Sequence, residues 1–215
     1  MSDEPHQDPQ DKFIESMGQD LGVTFYQLHT RLIELHIVWQ QYRQLFAESD
    51  DTIKLLNRTA GLFFKIVQDE LWDSVLLGIS RMTDPAATKH NKNLTINSLP
   101  PLIENNPKLR LEVEELCQQA IFASSFAREH RNKRIAHQDH AAYANRKTSE
   151  LSGISRKLIE GMLKALRETL NRIDNELRDT TVLYEDFVDE SGARGLVNRL
   201  RKLEAVKITP IDSGS

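Results

Sequence analysis

The strongest constraint on the fold is a stripe. Leu21, Phe25, Leu28, Leu32, Leu35, Trp39, Tyr42 and Phe46 follow one another at steps of four and three. That is the repeat of one helical face, and a strand, which alternates every second residue, cannot keep the eight on one side. The stripe predicts a helix over about residues 12–47, held for about seven turns at 3.6 residues each. Such regularity also suits a coiled coil, but Ile37 and Val38 widen the apolar face as in a bundle. Gly18 and Gly22 are expected to bend or fray its start.

The same period recurs downstream. Ser49-Asp50-Asp51-Thr52 offers caps for a second helix over about 52–82. Ile53, Leu56, Ala60, Phe63, Val67, Leu71, Val75 and Met82 form one stripe of it, and Phe64, Trp72, Leu76 and Ile79 add another. Apolar on more than one side, it is expected to be the most buried helix. Asp84-Pro85 ends it, because the residue before a proline is pushed out of helical geometry. Residues 85–98 read as a polar loop, long for a bundle connection, with Lys89, His90 and Lys92 available for contacts. Pro107 suits the first turn of a third helix running to about 137. A polar stretch from Asp139 to about Ser149 reads as a loop. Ile159, Leu163, Leu166, Leu170, Ile173 and Leu177 mark a last core helix over about 151–179. A short basic helix over about 194–206 carries Arg194, Arg199, Arg201 and Lys202. The sequence thus predicts an all-α, antiparallel helical bundle of about five helices without a strand. Residues 1–10 are expected to be a disordered tail, 11–180 the bundle, and 181–215 a loop, the basic helix and a tail.

Charge and cysteine usage narrow the function. The 215 residues carry a net charge of -4, so contact with nucleic acid must come from local patches. One is Arg128, Arg131, Lys133 and Arg134 against Glu129, a local balance of +3. The single cysteine, Cys117, excludes an internal disulfide and a four-cysteine zinc site, and its place in an apolar run makes it a small buried hydrophobe. No apolar stretch approaches the ~20 residues of a membrane span, and the N-terminus lacks a basic-then-apolar signal. The expected location is the cytoplasm, with no membrane contact.

Chemistry concentrates between Arg128 and His140. The seam Leu109, Val113, Leu116, Ala120, Ala123 and Ala127 continues as His130, Arg134 and His137, with Arg131 beside it. Either the helix leaves the core here and these side chains meet water, or they line a cleft. If they line a cleft, the chemistry suits RNA cleavage. RNA carries its own nucleophile, the 2′-hydroxyl. Cleavage then needs a base, an acid for the leaving 5′-oxygen, and cations around the phosphate. Histidine titrates near neutrality and serves as base or acid, while arginine stays charged and its planar fork fits phosphate oxygens. No metal and no cofactor are needed for these steps. Two zinc readings stand on less. His29 and His36 share a helical face, but Glu34 lies on another side, and packing histidines suffice. His137-Gln138-Asp139-His140 with His130 lacks a fourth ligand.

Arg131-Asn132, five further residues and His137 resemble the signature of the HEPN superfamily. Ser80-Arg81-Met82-Thr83-Asp84-Pro85 at the end of an apolar helix, and Asn93-Leu94-Thr95-Ile96 after a polar loop, come in the order of its abortive-infection U branch. The likeness spans roughly residues 20–200. It implies a metal-independent endoribonuclease whose site forms where the motif helices of two chains meet in a homodimer. Carried over residue by residue, it makes Arg131 and His137 catalytic and Asn132 an orienting polar group. Arg128, Lys133, Arg134 and His130 become candidate RNA contacts, with a solvated helix face as the plainer reading. Arg81, Asp84 and Asp139 are candidate supporting residues, for which end-capping and an ion pair are the plainer role of the first two. Some HEPN motifs continue His-x-Tyr, with a modified tyrosine. Asp139 holds that place here and Tyr143 lies too far along, so that regulation is not expected. RNA and a second copy of the chain are the expected partners, and an antitoxin protein is a candidate one. A non-catalytic HEPN bundle that binds protein or nucleic acid through the same basic patch is the alternative.

Overall fold

A computed structural model describes the backbone of residues 8–89, 91–132, 152–187, 189 and 191–208. The expected helical bundle is present. α1 spans Pro9–Met17, α2 Gln19–Phe46, α3 Asp50–Met82, α4 Pro107–Ala123, α5 Ser125–His130, α6 Ser152–Arg178 and α7 Ala193–Ile208. There are more helices than about five because two long stripes are each broken once. Gly18, at φ 82°, separates α1 from α2, and Gly22 lets the two approach, since a Cβ there would lie 2.7 Å from the Ile14 backbone. Ser124, at φ -88° and ψ 9°, separates α4 from α5. The first helix also begins earlier than expected, at Pro9, because Oδ1 of Asp8 accepts from the Gln10 N–H and Pro9 fits the first turn. The expected strandless chain holds one small exception: Ala87–Thr88 (β1) pairs antiparallel with Asn91–Lys92 (β2).

The described residues form two compact units. Those up to Leu35 and from Leu76 to Tyr184 make one; those from His36 to Val75 and from Glu185 onward make the other. The described residues from Glu185 onward, α7 included, thus share a unit with the later part of α2 and most of α3.

In the first unit, α4 and α6 pack along each other. Leu109, Val113 and Ala120 from α4 meet a core that includes Ile159, Leu163, Leu166, Leu170 and Ile173 from α6, all fully buried. The early α2 stripe, Leu21, Phe25, Leu28, Leu32 and Leu35, is buried as its spacing requires. Cys117 is buried too; its S–H donates to the Ile96 carbonyl at 3.3 Å, and burial pushes the thiol up to about 12. His29 shares a 2.8 Å hydrogen bond with the Tyr184 hydroxyl and packs among Phe13 and Phe25, the expected packing role.

In the second unit, Trp39 stacks on Tyr42 and both meet Trp72. Leu45, Leu55, Leu56, Phe64, Ala193 and Val197 make its apolar core. The N-terminus of α7 is capped from α2: Gln41 Oε1 accepts from the Ala193 N–H at 2.6 Å and Gln44 Oε1 from the Arg194 N–H at 2.9 Å. Two of the basic residues of α7 are engaged within this unit, Arg194 on Glu48 and Arg201 on Thr52 Oγ1, both at 2.8 Å.

One expectation about burial fails. α3 is not buried all round: Leu62, Phe63 and Ile66 are exposed, Phe63 by 59%. The helix breaks at Ala60, whose φ of -160° and ψ of 67° are not helical. The break resets the phase of the stripe, so that Phe64 rather than Phe63 turns inward.

Candidate functional site

The site is built where α3 ends and α5 runs out. α3 terminates because Asp84 precedes Pro85, and Thr83 closes the last turn with its hydroxyl donating to the Ile79 and Ser80 carbonyls at 3.0 and 3.2 Å. Thr83 is buried, and the next residue, Asp84, emerges half-exposed. From the other side, α5 ends at His130, and Arg131, still in helical geometry at φ -54° and ψ -49°, donates its N–H to the Ala127 and Arg128 carbonyls.

These two ends are joined by an ion pair. Nη1 of Arg131 donates to both carboxylate oxygens of Asp84 at 2.8 Å. The side chains keep 26% and 23% of their exposure, so the pair sits at the rim: ordered by its surroundings yet open to a ligand. Both oxygens fall on a single nitrogen, not on the two-pronged fork that arginine usually offers a carboxylate. Nε points at Asn132 Oδ1 at 3.4 Å, and among the described residues Nη2 has no hydrogen-bond partner. Nη1 and Nε are thus engaged, and Nη2 is the nitrogen left without a partner among the described residues. The carboxylate is fixed in turn through its backbone, since Asn97 Nδ2 donates to the Asp84 carbonyl at 2.9 Å.

Arg128 has a different task. Nη1 donates to the Thr83 carbonyl at 3.3 Å, and Nη2 donates to the Ile121 carbonyl. It satisfies carbonyls near the C-termini of α3 and α4, where orphan acceptors collect and a cation complements the helix dipole. Its guanidinium, half-buried, is engaged by these two carbonyls. His130 is half-buried, with its ring 6.3 Å from that of Phe126. Arg81 is exposed on the last turn of α3, and its carbonyl accepts from the Asp84 N–H at 3.4 Å. Asn132 is exposed beside Arg131. Lys133, Arg134, His137 and Asp139 lie outside the described residues. The structure thus brings Arg131, Asn132, Asp84 and Arg128 together, with Arg81 one turn from Asp84. Asn97 and the Ile121 carbonyl were missed by sequence reasoning. A lone asparagine in a polar stretch and a backbone oxygen leave no periodic or charge signal.

A family model described as AbiU2, of the HEPN group, matches residues 18–196, most of the chain. The chain belongs to the AbiU2 family of HEPN proteins. The match takes in both halves of the ion pair, the end of α3 and the Arg131-Asn132 turn, as well as His137. The AbiU2 assignment makes this an abortive-infection-related HEPN domain. No curated protein matches the chain, and no solved structure does. Among the described residues no helix is long and apolar enough to cross a membrane.

Proposed function

We propose that this AbiU2 chain is a metal-independent endoribonuclease that cuts RNA by attack of the 2′-hydroxyl on the adjacent phosphate. It would act as a toxin or anti-phage effector in abortive infection, in the cytoplasm, and without a cofactor. The observation that carries the proposal is the Asp84–Arg131 pair at the rim of the first unit. A family-motif arginine is held at Nη1 by Asp84 and at Nε by Asn132, and the phosphate oxygen is assigned to Nη2, which has no partner among the described residues. In this scheme Arg131 stabilises charge on the phosphate and His137 moves the proton. Asn132 and Asp84 keep the guanidinium aimed. Lys133, Arg134 and His130 are proposed RNA contacts, Arg81 and Asp139 proposed supporting residues. The active form is proposed to be a homodimer whose cleft takes Arg131 from one chain and His137 from the other, with an antitoxin protein as candidate regulator.

A second reading has one observation in its favour. Asp84 already neutralises Arg131, and a carboxylate beside the phosphate position repels it; that arrangement also suits a bundle that binds a partner without turnover.

RNA incubated with purified protein in EDTA decides between them. Cleavage should persist, give 2′,3′-cyclic phosphate ends, and spare substrate with 2′-deoxyribose at the cut. His137→Ala should lose ~10²–10⁴-fold, the usual contribution of a placed proton-transfer group. Mixed dimers of Arg131→Ala and His137→Ala chains should recover part of the activity. A His137→Ala protein as fast as wild type would leave the binding reading in front, and folded mixed dimers that stay inactive would remove the shared cleft.

A further inference from the structure

The segment between Asp84 and Ile96 is not the slack connection its polarity predicts. Ala87 pairs with Lys92 and Thr88 with Asn91. A two-stranded ribbon this short is not stable alone, so something else must hold it. Asn93 does so. Its N–H donates to the Ala86 carbonyl at 2.8 Å, and its Nδ2 donates to the Pro85 carbonyl at 2.9 Å and the Thr88 hydroxyl at 2.8 Å. Asn97 then fastens the same stretch to the Asp84 carbonyl. The hairpin is bolted to the residue that grips Arg131.

What the hairpin carries is charge. Lys89 and Lys92 are exposed, and among the described residues neither ammonium group has a carboxylate partner. Lys89 sits in the left-handed region at φ 55°, as the first residue of a two-residue hairpin turn requires. The tip therefore presents a lysine where asparagine or glycine would relieve the backbone. Between Arg81 and Asn93 the cations Arg81, Lys89 and Lys92 face the single carboxylate of Asp84. Lys89 is five residues from Asp84, so chain reach alone keeps it within roughly 17 Å.

We propose that the 87–92 hairpin is a clamp for the RNA phosphate backbone, with Lys89 and Lys92 holding nucleotides beside the one whose phosphate Arg131 receives. The inference rests on RNA being the ligand of the Arg131 site. The clamp would neutralise two phosphates and read no bases, so it adds affinity without sequence preference.

The test uses the full chain carrying His137→Ala, which holds RNA uncut, and a labelled single-stranded RNA. Lys89→Asn with Lys92→Gln removes both charges, and asparagine suits the left-handed tip, so the fold is kept. Each phosphate contact on a single strand contributes about 0.7 to the slope of log affinity against log salt, so the double variant should lose about 1.4. Over the fourfold rise from 50 to 200 mM salt, the ratio of wild-type to variant affinity should then shrink about sevenfold. Asn93→Ala keeps both charges but unfastens the hairpin, and should weaken binding without the full loss of slope. An unchanged slope in a folded double variant overturns the clamp while RNA cleavage by wild type keeps the proposed function standing. If wild type neither binds nor cuts RNA, both fall. Equal loss of binding to an acidic polypeptide, with RNA binding intact, would assign the hairpin to a protein partner and overturn the clamp.

Discussion

Among the described residues the first unit holds two aspartate–arginine pairs whose carboxylates differ in depth more than in chemistry. Asp84 and Arg131 join segments 47 residues apart at 2.8 Å, with about a quarter of each side chain exposed. Asp174 and Arg178 lie one turn apart on α6 at 3.1 Å, with Asp174 wholly buried. Arg178 also lies 3.9 Å over the Phe13 ring, a cation–π contact. A rim pair contributes little to stability, about 0–1 kcal/mol, because water solvates both partners when they part. A buried pair cannot part cheaply, since the abandoned carboxylate has no water to turn to. The rim pair can therefore exchange its carboxylate for another anion, and the deep pair cannot. The arginines themselves keep similar exposure, 26% for Arg131 and 21% for Arg178, so it is the depth of the carboxylate partner that separates an arginine available to substrate from one committed to the fold.

Exchanging the two substitutions tests this most strongly. Arg131→Ala should cut RNA cleavage by about 10²–10³-fold, as removal of a transition-state donor does elsewhere. Its melting temperature should stay within about 2 °C of wild type, following from the small stability of a rim pair. Arg131→Lys keeps the bond to Asp84 but has no second nitrogen to offer, so it should melt normally and still be impaired. Arg178→Ala should do the reverse. Stranding Asp174 costs about 3 kcal/mol, or roughly 6–12 °C for a chain of this size, with activity per folded molecule preserved. Scanning calorimetry beside single-turnover cleavage reads both quantities. A destabilised, active Arg131→Ala protein would erase the distinction.

The pH dependence of stability sharpens it. Burial pushes the Asp174 carboxyl above its ordinary 3.8, with Arg178 pulling the other way. The folded chain thus retains a proton that the unfolded chain releases above pH 3.8. This contribution is complete below that pH and is lost as pH rises through the folded value. His29 works in the opposite sense. Burial, and then the charge of Arg178, push its imidazole below 6.5, so its contribution is present above pH 6.5 and is lost as pH falls through the folded value. Urea unfolding from about pH 3.5 to 7.5 should show each slope vanish alone, the first in Asp174→Asn and the second in His29→Gln. Curves parallel to wild type in both variants would mean that the deep cluster does not titrate with folding.

The fold was legible where period and packing agree. The α2 stripe from Leu21 to Tyr42 is buried throughout because nothing interrupts its phase. It was misread on α3, where the Ala60 break turned Phe63 outward; a run with two apolar faces does not say which of them a kink will expose. The helix ends at Gly18 and Ser124 were only half visible, since a glycine marks a bend but a serine inside an apolar run does not. For the site, the motif located Arg131 and Asn132, and the end of α3 located Asp84. Their pairing spans 47 residues and has no local signature. The distinction between Arg128 and Arg131 was illegible for the same reason. Both are cations of one basic run, and only the carbonyls of Thr83 and Ile121 tell them apart.

That last distinction yields the smallest expected effect. Arg128→Lys keeps the charge at the position, but its donors radiate from one nitrogen and do not match two carbonyls that are met by the separate Nη1 and Nη2 of the planar fork. Losing one such hydrogen bond costs about 1 kcal/mol net, or roughly 2–4 °C. Because Thr83 adjoins Asp84, cleavage should fall slightly through misplacement of the pair, by several-fold at most. The salt dependence of RNA binding is the deciding readout. A structural Arg128 leaves the slope of log affinity against log salt unchanged even in Arg128→Gln, which removes the charge altogether. A phosphate-contacting Arg128 would lower that slope by about 0.7. Such a drop in Arg128→Gln, with the melting temperature unmoved, would return Arg128 to the RNA-facing group and place the boundary between the two kinds of arginine elsewhere on the helix.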